Sequence, residues 1–220
     1  MQPQNYPIDH HALEECWRAY VTTGQMNVHP PFQPDPIVYR SWQRCAPLLD
    51  PWAKPRPAIL EQQALERERT LSPQSNLLTT ARPFMEDLHQ FAEGSGFTVL
   101  LTDGTCCILD ALGDPPIVEA LGGQGLRSGV YWDEGRMGTN ALALALLEAV
   151  PIQVIGAEHY FQAHHNLTCA AAPIHEVRGR IVGVIAMGGY CEKAQRHTLA
   201  AIMAAARAIT NQLQAESYLQ

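Results

Sequence analysis

Lysine is almost missing from this chain. Lys54 and Lys193 are the only two in 220 residues, and the formal net charge is −7. Nucleic-acid binding depends on clustered Lys and Arg that neutralise phosphates, so this composition speaks against a chain that binds DNA or RNA by itself. No apolar run approaches the ~20 residues of a membrane helix. The start, MQPQNYPIDHH, has neither the basic head nor the apolar run of a secretory signal. A cytoplasmic chain that does not touch membrane is expected. The six cysteines (Cys16, Cys45, Cys106, Cys107, Cys169, Cys191) include no C-x-x-C pair, so a disulfide framework and a paired-thiolate zinc site are both poorly supported. A phosphate loop of the form G-x-x-x-x-G-K-[ST] is also missing, which excludes ATP hydrolysis of that kind.

What is present is a chain that is 46% apolar, enough for a substantial core. Two proline-rich breaks, HPPFQPDP (29–36) and PLLDPWAKPRP (47–57), separate short helical patterns at 9–20, 35–45 and 58–70. Such pieces cannot bury a core alone. The spacing from Ser75 predicts a longer helix, with Leu77, Ala81, Met85 and Leu88 on one face, until Gly94 and Gly96 stop it. The period then changes to that of strands. FTVLLTD (97–103) and CCILDAL (106–112) read as a hairpin closed by Asp-Gly turn chemistry. A glycine-rich crossover, LGGQGLRSGVYWDEGRMGTN, leads to an apolar helix from Thr139, with Thr139 as its cap. PIQVIG, NLTCAAAPI and RIVGVIAMGG supply three more strands, and a last helix carries Leu199, Ile202, Ala206, Ile209 and Leu213 on one face. The expected architecture is α+β: an antiparallel sheet of five to six strands sandwiched by helices. An N-terminal helical segment spans 1–74 and the sheet-bearing unit 75–220.

Chemistry-bearing residues gather in EHYFQAHHNLTC (158–169). Glu158, His159, His164, His165 and Cys169 are of metal-binding type, but their spacing is irregular, and His164 and His165 are expected to face solvent. The strand LTCAAAPI has little side-chain volume, and a proline inside a strand belongs at an edge or a bulge. That leaves space beside Thr168 and Cys169, although close packing of small residues is the plainer alternative. In the crossover, Tyr131 and Trp132 precede two acids, a pattern that fits either a pocket cap or a surface lid. Asn140 stands at a helix start, where it can cap the helix or turn its amide inward. Cys106 and Cys107 are adjacent, so on a strand they point to opposite faces and pair poorly.

IVYRSWQRC (37–45), GSGFTVLLTD (94–103), MGTNALALAL (137–146), GAEHYF (156–161), LTCAAAPIHEVRGRIVGVI (167–185) and HTLAAI (197–202), in this order, resemble a GAF domain. More specifically, they resemble the N-terminal sensor module of sigma-54-dependent activators of the acetoin catabolism regulator type. The resemblance implies a non-catalytic, cofactor-free receptor. A small carbonyl, diol or aromatic metabolite would enter a hollow on one face of the sheet and bias an output domain absent from this chain. It also implies a homodimer, and a ligand site drawn from Phe97, Leu101, Tyr131, Trp132, Asn140, Glu158, His159, Phe161, Thr168 and Cys169. Two alternatives stay open. One is a thiol enzyme such as a free methionine sulfoxide reductase, using Cys106, Cys107 or Cys169; the other is a metal or haem sensor using His159.

Overall fold

Asp9 and Asp35 each start a helix. The Asp9 carboxylate accepts from the amides of His11 and Ala12 to open α1 (His10–Thr23), which Gly24 ends at φ +70°. Asp35 accepts from the Ile37 amide, and Pro36 takes the first position of α2 (Pro36–Cys45). The computed structural model describes residues 9–25, 34–71 and 73–218; most of the first proline-rich break lies outside them. The next helix, α3 (Gln62–Leu71), starts later than its pattern suggested. Ile59 pairs with Val130 and Leu60 donates to the Gly129 carbonyl, so 58–60 runs extended along the crossover.

From α4 (Pro73–Ala92) onward the order is β1 (Phe97–Asp103), β2 (Ile108–Gly113), α5 (Pro115–Gly122), α6 (Glu134–Met137), α7 (Ala141–Leu147), β3 (Ile152–Ile155), β4 (Leu167–His175), β5 (Ile181–Tyr190) and α8 (Arg196–Ser217). The five strands form one antiparallel sheet in the order β2-β1-β5-β4-β3. This is the GAF-like α+β arrangement expected, with five strands. Between β1 and β2, Asp103 Oδ1 accepts from the Thr105 amide, the Thr105 hydroxyl and the Cys107 amide, while Cys106 takes φ +69°. The turn is thus built on the aspartate side chain, and both cysteines precede the strand. Neither α5, which opens on two prolines just before the glycine-rich stretch, nor the four-residue α6 within it shows a period in the sequence. Helix α7 begins at Ala141; Asn140, not Thr139, caps it by accepting from the Ala143 amide.

Strand alternation divides the apolar residues between two cores. Leu100, Cys169, Ala171 and Ala186 face α1, α2, the crossover and α7. Phe97, Leu101, Ala170, Ala172, Ile185 and Met187 face α4 and α8. The N-terminal helices therefore bury Leu13, Trp17, Tyr20, Val38 and Trp42 in the first core. Pro173 pairs only with Val184 of β5, since β3 ends opposite Ala171; the proline sits where the sheet has an open edge, as its chemistry requires. Among the described residues, no helix is long and apolar enough to cross a membrane.

Gly183 marks the tightest approach in the sheet. A Cβ there would meet the Thr102 carbonyl of β1 and come within 2.8 Å of Leu77 Cδ2 on α4. Gly183→Ala should cost about 3 kcal/mol or more, because strand spacing cannot yield. Gly179→Ala, in the open β4–β5 turn at φ +78°, should cost only about 1–2 kcal/mol of backbone strain. Urea denaturation of the two variants checks the ranking.

Candidate functional site

The first core has a gap opposite the side-chain-poor middle of the sheet. At Gly188 of β5 a Cβ would lie 3.4 Å from Leu126 Cδ1, 3.5 Å from Leu100 Cδ1 and 4.0 Å from Cys169 Sγ. The neighbouring leucines therefore fill most of the room the glycine leaves. What remains is a cavity of about 10 Å³, walled by Leu126, Trp132, Asn140, Ala141, Leu142, His159, Leu167, Thr168 and Cys169. That holds about one water molecule. Where the sequence led to an expected hollow, the protein's own side chains occupy nearly all of the room.

Trp132, Asn140, His159, Thr168 and Cys169 meet at this cavity. Phe97 and Leu101 do not, because alternation along β1 turns them into the second core, under α4 and α8. Thr168 pairs through Gly189 to Phe97. Its side chain shares that far face, so its backbone makes the wall, and its buried hydroxyl has no hydrogen-bond partner. Tyr131 is half-buried beside Cys107. Phe161 packs against Gly138 of the crossover, 3.1 Å from the position of a Cβ there. Glu158 turns back to accept from the Ile155 amide at 2.8 Å. Sequence reasoning missed Leu126, Ala141, Leu142 and Leu167; the one signal for Leu126 was its place directly after a glycine-rich turn.

The wall from the crossover is tied to itself. Trp132 Nε1 donates to the Gly125 carbonyl at 2.8 Å, and Asn140 Nδ2 donates to the carbonyls of Trp132 and Gly138. Both polar atoms of the Asn140 side chain are thereby used, including the oxygen that caps α7. His164, expected in solvent, is 2% exposed and stacks on Trp132 with ring centroids 5.0 Å apart. The short turn that follows Phe161 drives it inward beneath the indole. His165 is mostly covered, with Nδ1 2.7 Å from Glu14 of α1 and Nε2 3.2 Å from the His159 carbonyl. Both partners are acceptors, so both bonds form only when the ring is protonated. Burial lowers the His165 pKa, and Glu14 opposes that shift.

His159 Nδ1 lies 2.9 Å from the Gly156 carbonyl and must be the donor, which leaves Nε2 as the acceptor nitrogen. Burial, with His164 nearby, pushes the His159 pKa down to about 3, and burial with His165 pushes His164 down to about 4. Both rings are neutral at physiological pH. Burial raises Glu158 to about 8, so this carboxyl is largely protonated there too. Burial likewise pushes the Cys169 thiol up to about 12 and Cys106 well above its ordinary value. Thiol catalysis needs a thiolate, and these two thiols resist ionisation. Among the described residues, no three His, Cys, Asp or Glu side chains are grouped to hold a metal ion.

These shifts set the pH dependence of stability. Glu158 holds in the folded chain a proton that the unfolded chain releases above its ordinary value of 4.5, so stability falls as pH rises from about 4.5 to about 8. His159 and His164 act in the opposite sense: unfolded rings protonate below about 6.5, so stability falls as pH drops from there toward 4 and 3. Between pH 6.5 and 8.5 the Glu158 slope stands alone among the three. Glu158→Gln, which keeps an acceptor for the Ile155 amide, should raise the Tm at pH 8.5 by several degrees and leave it nearly unchanged at pH 4.5. Thermal melts of both proteins across this range check the sign.

The chain is similar to known proteins in sequence and fold. Residues 19–214 match the family described as MimR, N-terminal domain. The chain is 32% identical over 204 residues to the acetoin dehydrogenase operon transcriptional activator AcoR of Bacillus subtilis, covering 92% of this chain and 33% of that protein. It is 32% identical over 185 residues to the glycerol metabolism operon regulatory protein of Citrobacter freundii, covering 83% and 28%. The crystal structure of the E. coli DhaR(N)–DhaL complex superposes with a TM-score of 0.80 at 27% identity, covering 84% of this chain and 63% of that one. The chain thus spans about a third or less of the length of these two curated relatives. They are regulators by name, not enzymes, and they agree with the resemblance read from Ile37 onward. With the match running through nearly the whole sequence and the same fold in a solved relative, the chain belongs to the family of MimR N-terminal domains.

Proposed function

We propose that this domain receives the signal for a cytoplasmic transcriptional regulator. In this reading a small neutral molecule bearing a hydroxyl or similar donor enters the first core at the Trp132–His159 cavity. The observation that carries the reading is the chemistry of the walls: apolar side chains, an imidazole held neutral with its lone pair unprotonated, and no Lys or Arg. An anion placed there would lose its hydration with no cation to replace it, whereas an alcohol or diol meets an acceptor and apolar surface. Because the room amounts to about one water, a larger guest must push the crossover outward, and that displacement is the signal. The operons named for the relatives, acetoin and glycerol, concern small neutral hydroxylated compounds.

A second reading is favoured by the same small volume. The superposing DhaR(N) was crystallised in complex with a protein, DhaL, and a domain with a filled core can take its signal from a docked protein instead. The two readings separate in a thermal-shift screen of acetoin, 2,3-butanediol, propanol and phenol against acetate, lactate and benzoate. A compound at about 100 times its Kd adds about 2.7 kcal/mol, equivalent to about 5–10 °C for a chain of this length. We expect a rise with one or more neutral compounds, none with the anions, and its loss in Ala141→Leu, which fills the cavity. Anions that stabilise equally well, or a rise that survives Ala141→Leu, would count against the cavity; no rise with any compound leaves the protein-partner reading.

Homodimerisation is proposed through the outer faces of α4 and α8. Asn76, Thr79, Thr80, Pro83, Phe84, Gln212 and Glu216 line a groove of about 440 Å³ between these helices, and Phe91 is 89% exposed at the end of α4. Sedimentation equilibrium should give twice the chain mass for the wild type and the monomer mass for a Phe84→Glu, Phe91→Glu double variant.

A further inference from the structure

Helix α2 is fastened to two walls of the cavity by separate routes. On one side, Ser41 Oγ donates to Glu134 Oε1 at 2.5 Å, and Arg44 forks the same carboxylate through Nε and Nη2 at 2.8 and 2.9 Å. The single Ser41 proton is spent on Glu134, so at the 2.7 Å contact Thr139 Oγ1 must be the donor and Ser41 Oγ the acceptor. Cys45 Sγ stands 3.8 Å from Thr139 Oγ1 as the next donor, and burial keeps it a thiol by pushing its pKa up to about 11. A one-way chain of hydrogen bonds therefore runs from Cys45 through Thr139 and Ser41 to Glu134, with Ser41 and Thr139 fully buried. Glu134 and Thr139 bracket α6, inside the Trp132–Asn140 segment that walls the cavity. On the other side, the Trp42 indole donates to the Glu158 carbonyl at 2.8 Å, directly before His159.

The walls are not equally able to move. Thr168 and Cys169 are paired on both sides, to Ile155 and Val154 of β3 and to Gly189 and Gly188 of β5, and a fully paired strand has no free direction. The crossover wall is loop and single-turn helix: at its start the Trp132 amide donates to the Cys106 carbonyl, and from Asp133 to Asn140 it is tied to its surroundings by the side-chain bonds of Glu134, Thr139 and Asn140. Helices α4 and α8 lie beyond the sheet in the other core. Resting on the reading of this cavity as the sensing site, we propose that α2 is the element that reports its occupancy: a guest pushes the Trp132–Asn140 segment outward, and the Ser41–Thr139–Glu134–Arg44 latch with the Trp42–Glu158 bond carries the shift into α2. The far helices α4 and α8 stay in place.

The test needs no ligand, so it succeeds or fails independently of whether any compound binds. Cys169→Leu in the full chain adds volume from the fixed wall and imitates a guest; Cys169→Val is the smaller filler if the first does not fold. Hydrogen exchange followed by mass spectrometry should show amides of 37–45 and 156–160 exchanging about tenfold faster than in the wild type, with 76–92 and 197–217 unchanged. A stability cycle with Ser41→Ala then asks whether the latch carries the load. The Tm loss of the double variant should be smaller than the sum of the single losses by about 2 °C or more, because an opened latch no longer resists the filler. Exchange that rises in α8 and not in α2, no change in α2 with either filler, or strict additivity with Ser41→Ala would overturn the proposal.

Discussion

The middle of the sheet has too few side chains to fill its own face. Ala171, Ala186 and Gly188 cover little of the first core, and on the second face Ala170, Ala172 and Gly189 repeat the shortage. Protein interiors close to crystal-like density, so other elements must supply the missing volume. On the second face, α4 and α8 do so directly. On the first face α7 packs over β4 and β5, and the rest of the work falls to an irregular segment, the crossover, which lays Leu126 over Gly188 and Trp132 over His164. Helices alone meet the sheet on one side, a helix and an irregular segment share the other, and the cavity lies where these two fall just short of closing.

That constraint explains the burial of so many titratable groups around 156–165. The loop must pass under the crossover, and its histidines go with it into apolar surroundings. Each finds a way to remain uncharged or paired: His159 donates to the Gly156 carbonyl, His164 stacks on Trp132, and His165 bridges Glu14 and the His159 carbonyl. The two indoles Trp17 and Trp42 donate to the carbonyls of Tyr160 and Glu158, one residue on either side of His159. Buried indole groups left unpaired cost about 1–3 kcal/mol each, so these bonds fix how the N-terminal helices seat on the loop.

Periodicity made most of the fold legible. The β1–β2 hairpin, the three later strands, α4 and α8 each carry a pattern that only one secondary structure satisfies, and Pro173 signalled the open edge of β4 in advance. The eight-residue α5, opened by two prolines, and the four-residue α6 left no clear periodic trace. Of the candidate site, Trp132, Asn140, His159 and Cys169 were readable because each is an unusual residue type for its place. Leu126 and Leu142 were not, since a leucine in a loop or helix looks the same whether it packs a core or plugs a cavity.

What the sequence by itself determined was the strands, the longer helices, their alternation and the family, because these depend on local spacing and on residue order. Only the tertiary structure decided which face each strand residue serves, that His164 is inside, and how little of the hollow is open. Those outcomes depend on contacts between residues far apart in the chain: Gly188 with Leu126, Trp132 with His164, Ser41 with Thr139. A contact of that kind follows from how much volume two distant segments bring to the same place, and no local pattern carries that quantity.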